Sequence, residues 1–156
     1  IAFGAVAIAI SIGTFINSRL VIRHGMRRLS HTMIIGFTLT ASTLAIAAEI
    51  GNVSFPAFFA LLALTFAMFG FIASNFNALA MEPVGRIAGS ASALYGAVTA
   101  TGGAIFGALI ARAFDGTIIP FAVGLAAAGL ATLLAVLWTE RGKLFTTGSA
   151  AAGGSP

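Results

Sequence analysis

Five long apolar stretches, joined by short polar segments, leave this chain few ways to fold. They cover about residues 1–16, 33–50, 56–81, 87–111 and 118–138. A helix needs about 20 apolar residues to cross a hydrocarbon layer about 30 Å thick. The last four stretches reach that length or nearly so, and the first falls slightly short. A water-facing shell is out of reach, because hydrophobic residues make up 59% of the chain and charged residues 8%, against about 25% charged in an ordinary soluble domain. The excess apolar surface faces lipid. Continuous runs such as Phe58–Leu64 and Leu125–Ala131 lack the alternation of a membrane β-strand, and helices satisfy their backbone hydrogen bonds internally. The expected fold is therefore an all-α membrane protein, with a five-helix bundle over residues 1–145 and a small, polar, disordered tail at 146–156. The chain opens on Ile1, already inside an apolar run, and reads as a piece that begins partway through a span.

Charge placement predicts orientation. Arg19, Arg23, Arg27 and Arg28 crowd a basic loop between the first two stretches, and Arg86, Arg141 and Lys143 fall on the same side if the spans alternate. Arg112 alone falls on the other. Positive charge accumulates on the cytoplasmic side, so the basic loop and the C-terminus are expected in the cytoplasm of a multi-pass protein. The positive charges form no basic face, so nucleic acid is not an expected partner; the lipid bilayer is. The chain has no Cys, which removes disulfides and thiolate metal sites.

No span carries a charge at its centre. Glu49, Glu82, Arg112, Asp115 and Glu140 all fall near span ends. Glu82, beside Pro83, is a candidate for a gate or for an ion pair with Arg86, against a plain structural role. An amide in hydrocarbon needs a partner, so Asn75 and Asn77 stand out in the third span. Lying two residues apart, they point to different faces, so one can line a cavity while the other bonds a neighbouring helix. Ser92 and Tyr95 in the fourth span are further substrate-cavity candidates. His24 and His31 flank the basic loop with no carboxylate beside them in sequence, so neither a metal site nor a catalytic residue is expected. No nucleophile and base pair stands in adjacent spans, and an enzyme is not expected. The fourth span carries small residues every four positions, as in Gly85, Gly89, Ala93, Ala97 and Thr101, and again in Ser92, Gly96, Ala100, Ala104 and Ala108. Such rows let helix backbones approach closely in lipid, either for plain packing or for a helix that rocks against its partners.

The basic loop resembles the cytoplasmic motif of the major facilitator superfamily. Arg23-His-Gly25 matches its Arg-x-Gly core, and Arg27 and Arg28 match its basic end, while Ile22 occupies the acidic position. The segment Asn75 to Gly96, with Met81-Glu-Pro83, Gly85-Arg86 and Ala88-Gly-Ser-Ala-Ser92, resembles the region joining the tenth and eleventh helices of the Bcr/CflA drug-resistance subgroup. The resemblance implies that the five spans correspond to helices eight to twelve of a twelve-helix transporter in a bacterial inner membrane. It further implies a proton-coupled exporter of drugs or small amphipathic molecules working by alternating access, with no cofactor and with an upstream half of the same protein as partner. Arg23, Gly25, Arg27, Arg28, Glu82, Pro83 and Arg86 would then be conformational-motif residues. A sugar or metabolite carrier, or a non-transporting membrane subunit, are the alternatives.

Overall fold

The computed structural model describes residues 2–51 and 53–140. The tail at 146–156 and the cations Arg141 and Lys143 lie outside them. Among the described residues the chain is all helix: α1 (Ala2–His24), α2 (Met26–Ile50), α3 (Phe55–Met81), a 3-10 segment (Glu82–Ile87), α4 (Ala88–Arg112) and α5 (Ile119–Thr139).

The boundaries follow local chemistry. Gly25 separates α1 from α2 with φ 75° and ψ 151°, a conformation open to glycine and strained for residues with a Cβ. Gly51 closes α2 in the left-handed region, and its N–H donates to the Ala48 carbonyl at 3.1 Å, a common helix stop. Pro56 and Pro120 sit in the first turns of α3 and α5, where a missing N–H costs nothing. Pro83 sits in the first turn of the 3-10 segment, and Val84 leaves helical geometry at φ −113° and ψ 22°.

The basic segment differs from the loop expected of it. Helix continues through Asn17–His24 and resumes at Met26, so the joint shrinks to Gly25. Nothing between residues 17 and 24 breaks a helix, and arginine is a good helix former. A second difference concerns the number of spans. Among the described residues, four unbroken helical stretches are long and apolar enough to cross a membrane, because residues 55–112 run on as one stretch of 58 residues. At about 1.5 Å per residue that stretch would reach about 87 Å, far beyond one hydrocarbon layer of about 30 Å. The break at residues 82–87 divides it. The chain is a multi-pass membrane protein by the length and apolarity of these helices.

Helix α3 is the centre. It packs against α1 on one side and α2 on another, and α5 covers α2. Two apolar clusters fill these seams: Leu44, Ala45, Ala48, Leu62 and Ala122 in one, Ile34, Phe37, Ala41 and Ile72 in the other. Glycines set the closest approaches. A Cβ on Gly13 would collide with the Ala67 backbone carbonyl, and one on Gly70 would sit 2.6 Å from the Ile10 carbonyl oxygen. Thr65, wholly buried, donates to Thr40 Oγ1 at 2.9 Å across the α2–α3 seam. Helix α4 has no buried residue.

Candidate functional site

The end of α2 that carries Arg27 meets the C-terminal ends of α3 and α5. Between them lies a half-open cleft of ≈ 880 Å³. Arg27, Ser30 and His31 line it from α2. Phe76, Leu79, Glu82 and Pro83 come from the end of α3 and the 3-10 turn. Thr132, Val136 and Glu140 come from α5 and its cap. The walls are apolar and the mouth is charged. At the mouth Arg27 Nη1 approaches Glu140 Oε1 at 3.7 Å, with side chains 51% and 22% exposed. An ion pair this long and this wet contributes about 0–1 kcal/mol, so it opposes opening of the cleft only weakly. His31 is buried on the same wall. A space with greasy sides, hydroxyls and charges of both signs suits an amphipathic molecule.

The residues singled out in the sequence separate into groups. Arg27, Glu82 and Pro83 come together at the cleft. Arg23, Arg28 and Arg86 are exposed and do not line it, and Gly25 is the joint itself. The ion pair considered for Glu82 and Arg86 is not formed. Among the described residues the salt bridge is Arg27–Glu140, because the 3-10 turn ends the i to i+4 spacing that would bring Glu82 and Arg86 onto one helical face.

Asn75 is closed off from the cleft. It is 2% exposed and forms a reciprocal amide pair with Asn17: Asn17 Nδ2 donates to Asn75 Oδ1 at 2.8 Å, and Asn75 Nδ2 donates to Asn17 Oδ1 at 2.9 Å. Asn77 is exposed on another face of α3. One asparagine therefore bonds a neighbouring helix, and the other stands open. Ser92 is exposed and donates to the Met81 sulfur at 3.3 Å, while Tyr95 is half-buried. Neither lines the cleft.

Sequence reasoning passed over Asn17, weighed His31 only as a metal or catalytic residue, and placed Glu140 only near a span end. Asn17 was masked by its basic neighbours, yet it continues the row Ala9, Gly13, Asn17, all of them buried, and that i, i+4 spacing of small and polar residues was readable. The approach of Glu140 to Arg27 joins residues far apart in sequence and left no local signal. Among the described residues no group of three or more His, Asp or Glu side chains could hold a metal ion.

Comparison with protein families, with characterised proteins and with solved structures finds no match for this chain.

Proposed function

We propose that this chain forms part of a secondary active transporter of the major facilitator type, exporting drugs or other small amphipathic molecules by alternating access and coupled to protons. One observation supports the reading most. The two segments that carry the resemblance, the Arg23–Arg28 motif and the Met81-Glu-Pro turn, lie far apart in sequence yet face one another across a single cleft through Arg27, Glu82 and Pro83. Two motifs that act together in rocking of helical bundles should meet in this way. On this reading α1 to α5 are helices eight to twelve, the membrane is a bacterial inner membrane, and the basic end of the bundle is cytoplasmic.

The test is drug accumulation in cells expressing the full-length protein, with and without a proton uncoupler. Proton-dependent efflux supports the reading. Accumulation equal to that of empty-vector cells across amphipathic drugs overturns it for drugs, and uptake of a sugar or metabolite in the same cells would favour a carrier of that class. A further expectation is that residues 1–156 reconstituted alone show no proton-driven efflux, since the other half of the cavity is supplied by upstream helices.

A further inference from the structure

Helix α1 presents two unlike faces. Ala9, Gly13 and Asn17 are buried, with Gly13 and Asn17 held against α3. A different side carries Ile8, Ile12 and Phe15, exposed at 61%, 52% and 64%. One turn further on come Arg19 and Arg23, both exposed. At about 100° per residue these five side chains fall within an arc of about 80°. They form one stripe that is apolar along its first turns and cationic at its end. The Arg19 guanidinium lies over the Phe15 ring at 5.7 Å, where the change from apolar to charged takes place. Among the described residues no carboxylate pairs with Arg19 or Arg23, the salt bridge being Arg27–Glu140.

We infer that this stripe is a binding surface for an anionic phospholipid, with an acyl chain along Ile8, Ile12 and Phe15 and the phosphate held between Arg19 and Arg23. Three features favour this occupant over another protein helix. The backbones of Arg19 and Arg23 stand about one turn apart, about 6 Å along the axis, so their long side chains can reach a single phosphate, which accepts two-pronged hydrogen bonds from arginine. The order of the stripe, apolar then cationic, matches a lipid read from tail to head. The cations also end the apolar stretch, at the depth where headgroups lie and where long basic side chains extend toward the interface. This surface is separate from the cleft and does not depend on what passes through it.

The test uses the full-length protein in nanodiscs of phosphatidylcholine with and without phosphatidylglycerol, read by native mass spectrometry of retained lipid. The wild type should retain phosphatidylglycerol in preference to phosphatidylcholine. The double variant Arg19→Gln with Arg23→Gln should lose about 30-fold in that preference, each surface cation contributing roughly fivefold. Phe15→Ala should weaken it less. Arg112→Gln, at the other end of the bundle, should leave it unchanged. The inference is overturned if phosphatidylglycerol shows no preference, if Arg112→Gln reduces it as much as the double variant does, or if excess inorganic phosphate displaces the lipid, which would mean that the apolar part of the stripe contributes nothing. It is equally overturned if a cysteine at position 12 crosslinks to another helix of the protein in the native membrane.

Discussion

The seam between α1 and α3 and the whole of α4 are both rich in small residues, and the structure uses them in opposite ways. At the seam, Gly13 faces the Ala67 backbone and Gly70 faces Ile10 and Thr14, so the helices cross where no Cβ could fit. In α4, Gly89, Gly96, Gly102, Gly103 and Gly107 have nothing within 4 Å of the Cβ they lack, and no residue is buried. The contrast teaches that a small-residue row shows where a helix can be approached, and that a partner needs a second signal. The seam has one in the buried Asn17–Asn75 pair; the side-chain bond from α4 to α3 among the described residues is the exposed one from Ser92 to the Met81 sulfur, at the very end of α3.

The comparison breaks most directly at its tightest point. Gly13→Leu or Gly70→Leu should force α1 and α3 apart and destabilise the bundle by about 3 kcal/mol, at the upper end of overpacking costs. Gly103→Leu should change stability by less than about 0.5 kcal/mol, as at an open surface site. Equilibrium unfolding in detergent reads both. Equal losses at Gly103 and Gly13 would show that α4 is packed as tightly as the seam.

The amide pair comes next. Asn75→Ala leaves Asn17 buried with no partner, a loss of about 1–3 kcal/mol, tempered in lipid-like surroundings toward about 1 kcal/mol. Replacing both residues with Leu should recover much of that loss, since no polar group is then left unpaired. A double-mutant cycle measures the coupling. If the two single losses simply add, the pair does not hold the seam.

How much of this was legible in advance depends on the kind of signal. The apolar runs announced an all-helical membrane chain because length and hydropathy are local properties. The helix stops at Gly25 and Gly51 and the starts near Pro56 and Pro120 follow from single residues. The basic segment was read as a loop because its charge set it apart from the spans, but charge marks where lipid ends and does not end a helix. The cleft was half legible. Glu82 and Pro83 were conspicuous beside the Gly85-Arg86 step, and Arg27 belonged to the basic motif. Their meeting place depends on how α2, α3 and α5 cross, and that is fixed by close approaches such as Gly129 against α2, where an added Cβ would sit 3.0 Å from Thr38 Oγ1, which no local pattern encodes.

The Arg27–Glu140 pair, unlike the buried amides, is partly exposed to solvent. Arg27→Ala should cost less than about 1 kcal/mol, and even that should shrink in high salt. The informative measurement is fluorescence from a probe attached at position 139, at the cleft mouth. A rise in its mobility with little change in stability would identify the pair as a weak clasp on the cleft. A loss as large as that from Asn75→Ala would show the pair to be more sheltered than its exposure indicates.

The smallest effect belongs to the joint between α4 and α5. There Thr117 Oγ1 donates to Asp115 Oδ1 at 2.6 Å, and the Thr117 backbone N–H donates to the same oxygen at 3.0 Å. The Thr117 hydroxyl first, and its N–H second, hold the Asp115 carboxyl below the ordinary carboxylate range. A lowered value means that the folded joint favours the ionised acid. The stabilisation is therefore present above the unfolded value of about 3.9 and fades as pH falls through the lower folded one. Asp115 is fully exposed, so the effect is confined to the turn. Thr117→Val removes the hydroxyl donor and should move the Asp115 carboxyl back up toward its unfolded value, as followed by the pH titration of its carbon-13 carboxyl resonance. An unchanged titration in Thr117→Val would mean that the backbone N–H alone sets the shift, and that the turn before α5 is held without its threonine.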